Sequence, residues 1–394
     1  MNGTFVRSAS WALKPIKYAV ARGKSGQVET KGSVSGEPGE GLVPAFSASG
    51  QDVWVENAQF HGEGLVLSAV GARCGKCFRA SGSWSVVANT QVFLPLRGYD
   101  ADYLWYVFND EKFWEKGGTA QPYVRVPTTL ARKWAFPPLP TQRAIADFLD
   151  RKTRAIDELI GKKERLIELL QEKRQALIRQ AVTKGLDPNV PMKDSGVPWL
   201  GAVPAHWSIK RLKHFAQFLN HRRVPLSAEE RSGLDRLYPY YGASGIIDQV
   251  DRWIFDEDLI LVGEDGANIL ARSTRMAFIA RGKYWVNNHA HILQPRDGDL
   301  RYWAERLEAI SYVPFASGSA QPKLTKESLG DILIAAPGME EQRQIGDFVE
   351  SLSQKTDPVL VKLRSSIERL TEYRESLISA AVTGQIDVTA EAAA

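Results

Sequence analysis

The strongest constraint on this chain is that it contains the same long segment twice: residues 142–183 return as residues 342–383, 200 positions later and without a gap. Identical pairs include Gln142/Gln342, Arg143/Arg343, Asp147/Asp347, Phe148/Phe348, Asp157/Asp357, Glu168/Glu368, Arg174/Arg374 and Leu177/Leu377, closing on Ala181-Val182-Thr183 against Ala381-Val382-Thr383. The same offset holds upstream, where Gly118-Thr119-Ala120-Gln121-Pro122 matches Gly318-Ser319-Ala320-Gln321-Pro322. A looser match pairs Trp11, Lys14 and Lys17 with Trp207, Lys210 and Lys213, and Ala48-Ser49-Gly50 with Ala243-Ser244-Gly245. Between these anchors the halves diverge. A duplication of this kind implies two tandem units, each a variable part followed by a shared part.

The shared parts read as long helices. Leu149, Ile156, Leu170 and Leu177 fall on one seven-residue line, with Ile145, Leu159 and Leu166 beside it; the second copy offers Val349, Leu363, Leu370 and Leu377 with Ile345, Leu352, Val359 and Tyr373. Flanking Lys, Arg and Glu complete the pattern of a coiled-coil seam with solvated outer faces. A helix of about 40 residues spans roughly 60 Å, a length suited to a spacer. Pro358 after Asp357 predicts a break or kink, and Gly185 and Gly384 end the helices in left-handed caps. A lone coiled coil serves equally well for dimerisation. Two copies in one chain favour an antiparallel intramolecular pair with an internal pseudo-two-fold.

The variable parts read as mixed α/β domains. Short β-rich runs occur at Gly64–Ser68 and Gln91–Leu94, and again at Asp258–Val262 and His291–Leu293, with helices expected over Tyr103–Phe113 and Leu300–Ile310. The expected organisation is a first domain over 1–139, a helical region over 140–184, a second domain over 185–339 opened by a lead-in linker at 185–206, a second helical region over 340–384, and a tail over 385–394. Basic loop residues are candidate DNA contacts: Arg73, Lys76 and Arg79 in the first domain, Arg222, Arg223, Arg272, Arg275, Arg281 and Lys283 in the second. Arginine can bond guanine bidentately and lysine mostly tracks phosphates.

Charge alone decides little, because 50 basic residues nearly balance 46 acidic ones at a net +4. No apolar run approaches the ~20 residues of a membrane span, and no signal-like segment opens the chain, so a cytoplasmic protein is expected. The two cysteines, Cys74 and Cys77, lack the further ligands of a zinc site and the strand-to-helix setting of a redox motif, and read as part of a loop. Gly263-Glu264-Asp265-Gly266 reads as an acidic turn after a strand, not as a metal site.

Several strings resemble the specificity subunits of type I restriction-modification systems. Asp194-Ser195-Gly196-Val197-Pro198-Trp199-Leu200-Gly201, followed by Val203-Pro204-Ala205-His206-Trp207 and Lys210-Arg211-Leu212-Lys213, is similar to the opening of a target recognition domain in that family. The stretches Pro138 to Leu149 and Leu177 to Gly185 resemble its conserved helical regions. The first unit lacks the Ser-Gly-Val-Pro-Trp-Leu-Gly lead-in before Trp11. The resemblance implies two target recognition domains, each reading half of a bipartite, asymmetric site in double-stranded DNA. It also implies helices that act as spacer and dock for two modification subunits, with restriction subunits joining them. S-adenosylmethionine, ATP and Mg²⁺ would be used by those partners, with no cofactor, metal or catalytic residue in this chain. The sequence agrees in lacking an amino-methyltransferase Asn/Asp-Pro-Pro-aromatic motif, a P-loop and a convincing nuclease carboxylate set. Two other readings stay open at this point: a fused nuclease or methyltransferase with degenerate motifs, and an assembly scaffold that never touches DNA.

Overall fold

The computed structural model describes residues 11–23, 34–318 and 321–388. The first ten residues of the expected first domain, Ser319 and Ala320 of the repeated loop, and positions 389–394 of the tail lie outside them. Contact density divides the chain into two units, Met1–Lys163 with Ser365–Ala394, and Glu164–Arg364. Four helices frame them: α1 (Ala101–Phe108), α2 (Leu139–Lys184), α3 (Leu300–Glu308) and α4 (Met339–Val382). Each long helix is shared, so a unit consists of one α/β lobe, the first half of one long helix and the second half of the other.

Lobe 1 carries two four-stranded sheets. One orders Val20–Arg22, Thr90–Pro95, Gly64–Ser68 and Cys77–Ala80; the other orders Gly50–Val55, Val43–Ser47, Ser83–Val86 and Phe60–His61. Lobe 2 repeats the arrangement strand for strand. Its first sheet orders Ala216–Phe218, Ala290–Pro295, Leu259–Gly263 and Ala277–Ala280, and its second orders Gly245–Val250, Tyr238–Gly242, Lys283–Val286 and Phe255–Asp256. Both second sheets contain one parallel pair and one register shift, at Ala45/Phe46 and at Tyr240/Tyr241. Such bulges re-aim a strand and persist where the fold needs the bend.

The strand Gly64–Ser68 is buried along its whole length because both its faces are covered. Leu65 and Leu67 pack into the core with Tyr103, Leu104 and Val107 of α1, while Val66 joins Phe46, Trp84 and Val92 on the other side. Leu259–Gly263 divides in the same way, Ile260 and Val262 against Trp303 and Leu307 of α3, and Leu259 and Leu261 against Phe255 and Tyr284. Asp100 and Asp299 start the lobe helices by accepting hydrogen bonds from the backbone N–H groups of Tyr103 and Arg301, at 3.0 and 2.8 Å. Helix α1 ends at Phe108, short of the expected Phe113, where Asp110 opens a turn that accepts the Lys112 N–H.

The long helices form antiparallel coiled coils within each unit. In unit 1, Ile145, Leu149 and Ile156 share a core with Leu377, Ala381 and Val382. In unit 2, Ile345 and Val349 share one with Ile178, Ala181 and Val182. Shared arginines fix the register in the same way twice: Arg374 pairs with Asp157 at 2.8 Å in unit 1 and Arg174 with Asp357 at 2.6 Å in unit 2.

One line of the predicted seam is correct; the other is correct where it begins, at buried Ile145 and Ile345, and lies one residue away further along the helices. Leu149, Ile156 and Leu377 are buried, but Leu159, Leu166, Val359 and Tyr373 are exposed, and the inward positions are Thr153, Ile160, Ile167, Arg174 and Ala181 with their counterparts Ser353, Leu360, Ile367, Arg374 and Ala381. The true line contains Thr and Arg, so it is less apolar than the outward line beside it. Helix α4 also runs unbroken through Pro358. The carbonyl that loses its partner there belongs to exposed Gln354, where water can satisfy it.

The helix ends match expectation. Gly185 and Gly384 take φ of +82° and +72°. A Cβ on Gly384 would lie 2.9 Å from the Trp11 ring, so only glycine fits that seat. Among the described residues, no helix is long and apolar enough to cross a membrane.

Candidate nucleic-acid interface

In both lobes the central hairpin is closed by a long loop, residues 69–76 in lobe 1 and 264–276 in lobe 2, the latter with a helical turn at Asn268–Ala271. Each is pinned by the repeated Gly-x-Ala-Gln-Pro segment: Gly71 N–H donates to the Pro122 carbonyl at 2.8 Å, and Gly266 N–H to the Pro322 carbonyl at 3.1 Å. The next residues bond again, Val124 N–H to Ala69 and Leu324 N–H to Glu264. The frame around the loop is therefore common to both lobes, and its contents differ.

In lobe 1, Arg73 and Lys76 both occupy this loop and are exposed. Arg73 donates to the Ser49 carbonyl at 3.0 Å, which ties the loop to the Ala48-Ser49-Gly50 turn. Arg79 is elsewhere, on Cys77–Ala80, stacked 4.1 Å from the Trp105 ring and paired with Asp102 at 3.0 Å and Asp150 at 2.8 Å. Burial disfavours the Arg79 charge, but the Asp150 hydrogen bond and the field of Asp102 outweigh it and hold the guanidinium above its ordinary pKa. Burial opposes ionisation of Asp150 too, yet hydrogen bonds from Arg79 and Tyr106 keep it below the usual carboxylate range. The donors of Arg79 are spent on clamping α1 to α2.

In lobe 2 all five named arginines have carboxylate partners. Arg222 pairs with Glu257 at 2.5 Å and covers the Phe255 ring; Arg275 pairs with Glu305 at 2.7 Å. Arg272 reaches Glu308 and the Glu308 and Ile310 carbonyls, at the end of α3. Arg223 is the most enclosed: it bonds Glu264 at 2.6 Å and the carbonyls of Asn220, Asn288 and Ala290. Arg281 pairs with Asp258 at 2.7 Å but is 61% exposed, so the pair holds it by under about 1 kcal/mol and a phosphate can compete for it. Lys283 lies 4.0 Å over the Trp253 ring on the surface. Arg73, Lys76, Arg281 and Lys283 thus present cations to solvent, while Arg79, Arg222, Arg223, Arg272 and Arg275 hold loops and helices in place.

The Glu264 turn is an internal anchor. Its carboxylate is opposed by burial but kept below the ordinary range by the hydrogen bond from Arg223. His291 Nε2 donates to the Leu324 carbonyl at 2.7 Å, which leaves Nδ1 to accept from Asn220. Burial pushes the His291 pKa down. Among the described residues, no group of three or more His, Cys, Asp or Glu could hold a metal ion. Cys74 and Cys77 are free, buried thiols, and burial raises the pKa of Cys77.

Sequence reasoning missed the tip of the second hairpin. Ile246 and Ile247 stand 59% and 52% exposed beside Gly245, an apolar pair suited to a thymine methyl group. Lobe 1 has Gln51 and Asp52 after Gly50, with Ser47 Oγ donating to Asp52 at 2.7 Å. The matched Ala-Ser-Gly turns marked this place in the sequence, and the residues after them carried the signal.

Two lobes of one frame with unlike loops, each seated on a shared helix, accord with the match of two long stretches of the chain to one family. The family model described as "Type I restriction modification DNA specificity domain" matches residues 53–169 and 204–369. The chain belongs to that family. The matched stretches are its DNA specificity domains. S.HindORF215P of Haemophilus influenzae, named as a type I restriction enzyme specificity subunit, is 30% identical over 148 residues, 37% of each chain. The Escherichia coli EcoDI specificity subunit is 21% identical over 188 residues, 47% of this chain and 40% of that one. The match therefore spans less than half the length of these relatives. Two solved structures share the fold. A chain from a study of type I R-M complex assembly and conformational transition aligns with TM-score 0.66 at 14% identity, covering 96% of this chain and 99% of that one. The HsdS subunit of Thermoanaerobacter tengcongensis aligns at 0.50 and 14%, covering 96% and 98%.

Proposed function

We propose that this specificity subunit reads a bipartite, asymmetric site in double-stranded DNA, one half per lobe, and thereby directs partner subunits to methylate adenine and to restrict unmodified DNA. The single observation that carries this reading is the pairing of a common lobe frame with dissimilar loops. Residues 69–76 and 264–276 occupy equivalent places but differ in length, charge and fold, as readers of two different half-sites must. In this reading α2 and α4 fix the number of unspecified base pairs between the halves, and two modification subunits dock on them. Those subunits use S-adenosylmethionine, and restriction subunits add ATP- and Mg²⁺-dependent translocation and cleavage, in the cytoplasm. Exposed Arg73, Lys76, Arg281 and Lys283 are the proposed electrostatic contacts, each adding about one released counterion to the binding equilibrium.

The test is binding of the purified chain to duplex DNA across a salt series, with S-adenosylmethionine, ATP and Mg²⁺ present. The expected result is a logarithmic affinity that falls steeply with salt, with no methyl transfer and no cleavage until modification and restriction subunits are added. A flat salt response favours a scaffold without DNA contact, and turnover by the chain alone favours a fused enzyme; either outcome contradicts the proposal.

A further inference from the structure

The repeated Gly-x-Ala-Gln-Pro segment contains a residue that the fold does not explain. Gly118 and Gly318 take φ of +81° and +86°, and a Cβ there would lie 2.4 and 2.8 Å from the carbonyl oxygens of Gln121 and Gln321, so the turn can close only on glycine. Pro122 and Pro322 supply the carbonyls that pin the variable loops. Gln121 and Gln321 are exposed, and among the described residues neither side-chain amide has a hydrogen-bond partner. Both lobes place glutamine there, at the foot of loops that match at Gly71-Ala72 and Gly266-Ala267 and differ in the rest. Ser319 and Ala320 lie outside the described residues, so the site comprises the glycine, glutamine and proline of each copy.

Two loops that read different bases have only one part of their target in common, the sugar–phosphate backbone. A side chain that is identical in both, exposed and unused by the fold is suited to that common part and not to the bases. We infer that Gln121 and Gln321 each donate an amide hydrogen bond to a backbone phosphate in their own half-site, setting the variable loop at a fixed height over the base edges. This rests on the DNA-reading function proposed above. The contact is uncharged, which separates it from the cations around it: it adds affinity without adding a released counterion.

The experiment compares the full chain with Gln121→Ala, Gln321→Ala and the double variant, on a duplex carrying the site found by methylation mapping and on a scrambled duplex. Each single variant is expected to lose about three- to tenfold in affinity on both duplexes, the worth of one hydrogen bond. The double variant should lose the product, with the salt slope, the melting temperature and the methylated motif unchanged. Relaxed base preference at one half-site would make the glutamine a base reader and overturn the inference, as would unchanged affinity or a lowered melting temperature. Failure of the unaltered chain to bind either duplex would instead overturn the DNA-reading function itself, and is seen before any variant is made.

Discussion

Lobe 1 and lobe 2 share a strand order, a parallel pair and a bulge, but they stabilise that common frame with different chemistry. At the position after the central strand, lobe 1 has the small apolar Ala69 and lobe 2 has Glu264, both 8% exposed and both bonded through the backbone to the repeated loop. On the neighbouring strand Gln91 stands where His291 does, meeting Arg22 at 2.8 Å, whereas His291 sits inside a charged network. The clamps to the long helices differ as well. Lobe 1 uses Arg79 of an edge strand, and lobe 2 uses Arg301 of α3, which joins Asp299, Asp347 and Glu350. Asp299 is opposed by burial but held below the ordinary carboxylate range by Arg301. A duplicated fold can therefore keep its backbone while its polar interior is rebuilt, provided each buried charge keeps a partner.

The largest expected effect breaks that last condition. Glu264→Ala leaves Arg223 without its carboxylate and should destabilise unit 2 by about 3 kcal/mol, and Ala69→Glu should cost unit 1 a similar amount by burying a carboxylate without an arginine. Denaturant titration with hydrogen exchange on Leu259–Gly263 and Gly64–Ser68 assigns each loss to its unit. Negligible loss from Ala69→Glu would mean that the two interiors are interchangeable.

A smaller effect concerns pH. Burial lowers the folded-state pKa of His291 below the ordinary 6.5. As pH falls through 6.5 the unfolded chain takes up the proton first, so the stability of unit 2 is full above that value and declines below it. Acidification from about pH 7.5 to about 5.5 should lower the melting of unit 2 more than that of unit 1, which has Gln91 at this place, and His291→Gln should remove the difference. Equal responses in the unaltered protein would contradict the assignment.

The smallest effect should be the same in both units. Asp157→Asn and Asp357→Asn each remove a half-exposed ion pair and should cost about 0.5 kcal/mol apiece. Clearly unequal losses would show that the two coiled-coil seams are not equivalent.

Periodicity and repetition made the long helices, their glycine ends and the buried strand Gly64–Ser68 legible in the sequence, because those signals are local. Beyond Ile145 and Ile345 the second seam line was misread because Thr153 and Arg174 face inward while Leu159 and Leu166 face out, and apolarity alone cannot rank such neighbours. The roles of the arginines were hidden for a different reason. Arg79 finds Asp150, and Arg275 finds Glu305, only after the lobe has folded, and nothing in the local sequence separates such a clamp from an exposed reader like Lys76.

The most direct test of one reader per lobe is a genome-wide adenine methylation profile from cells carrying the modification subunit and this chain with residues 1–139 exchanged for those of another specificity subunit. One half of a two-part motif should change while the other half and the gap stay as they were. A motif replaced in both halves, or left wholly unchanged, would contradict the account.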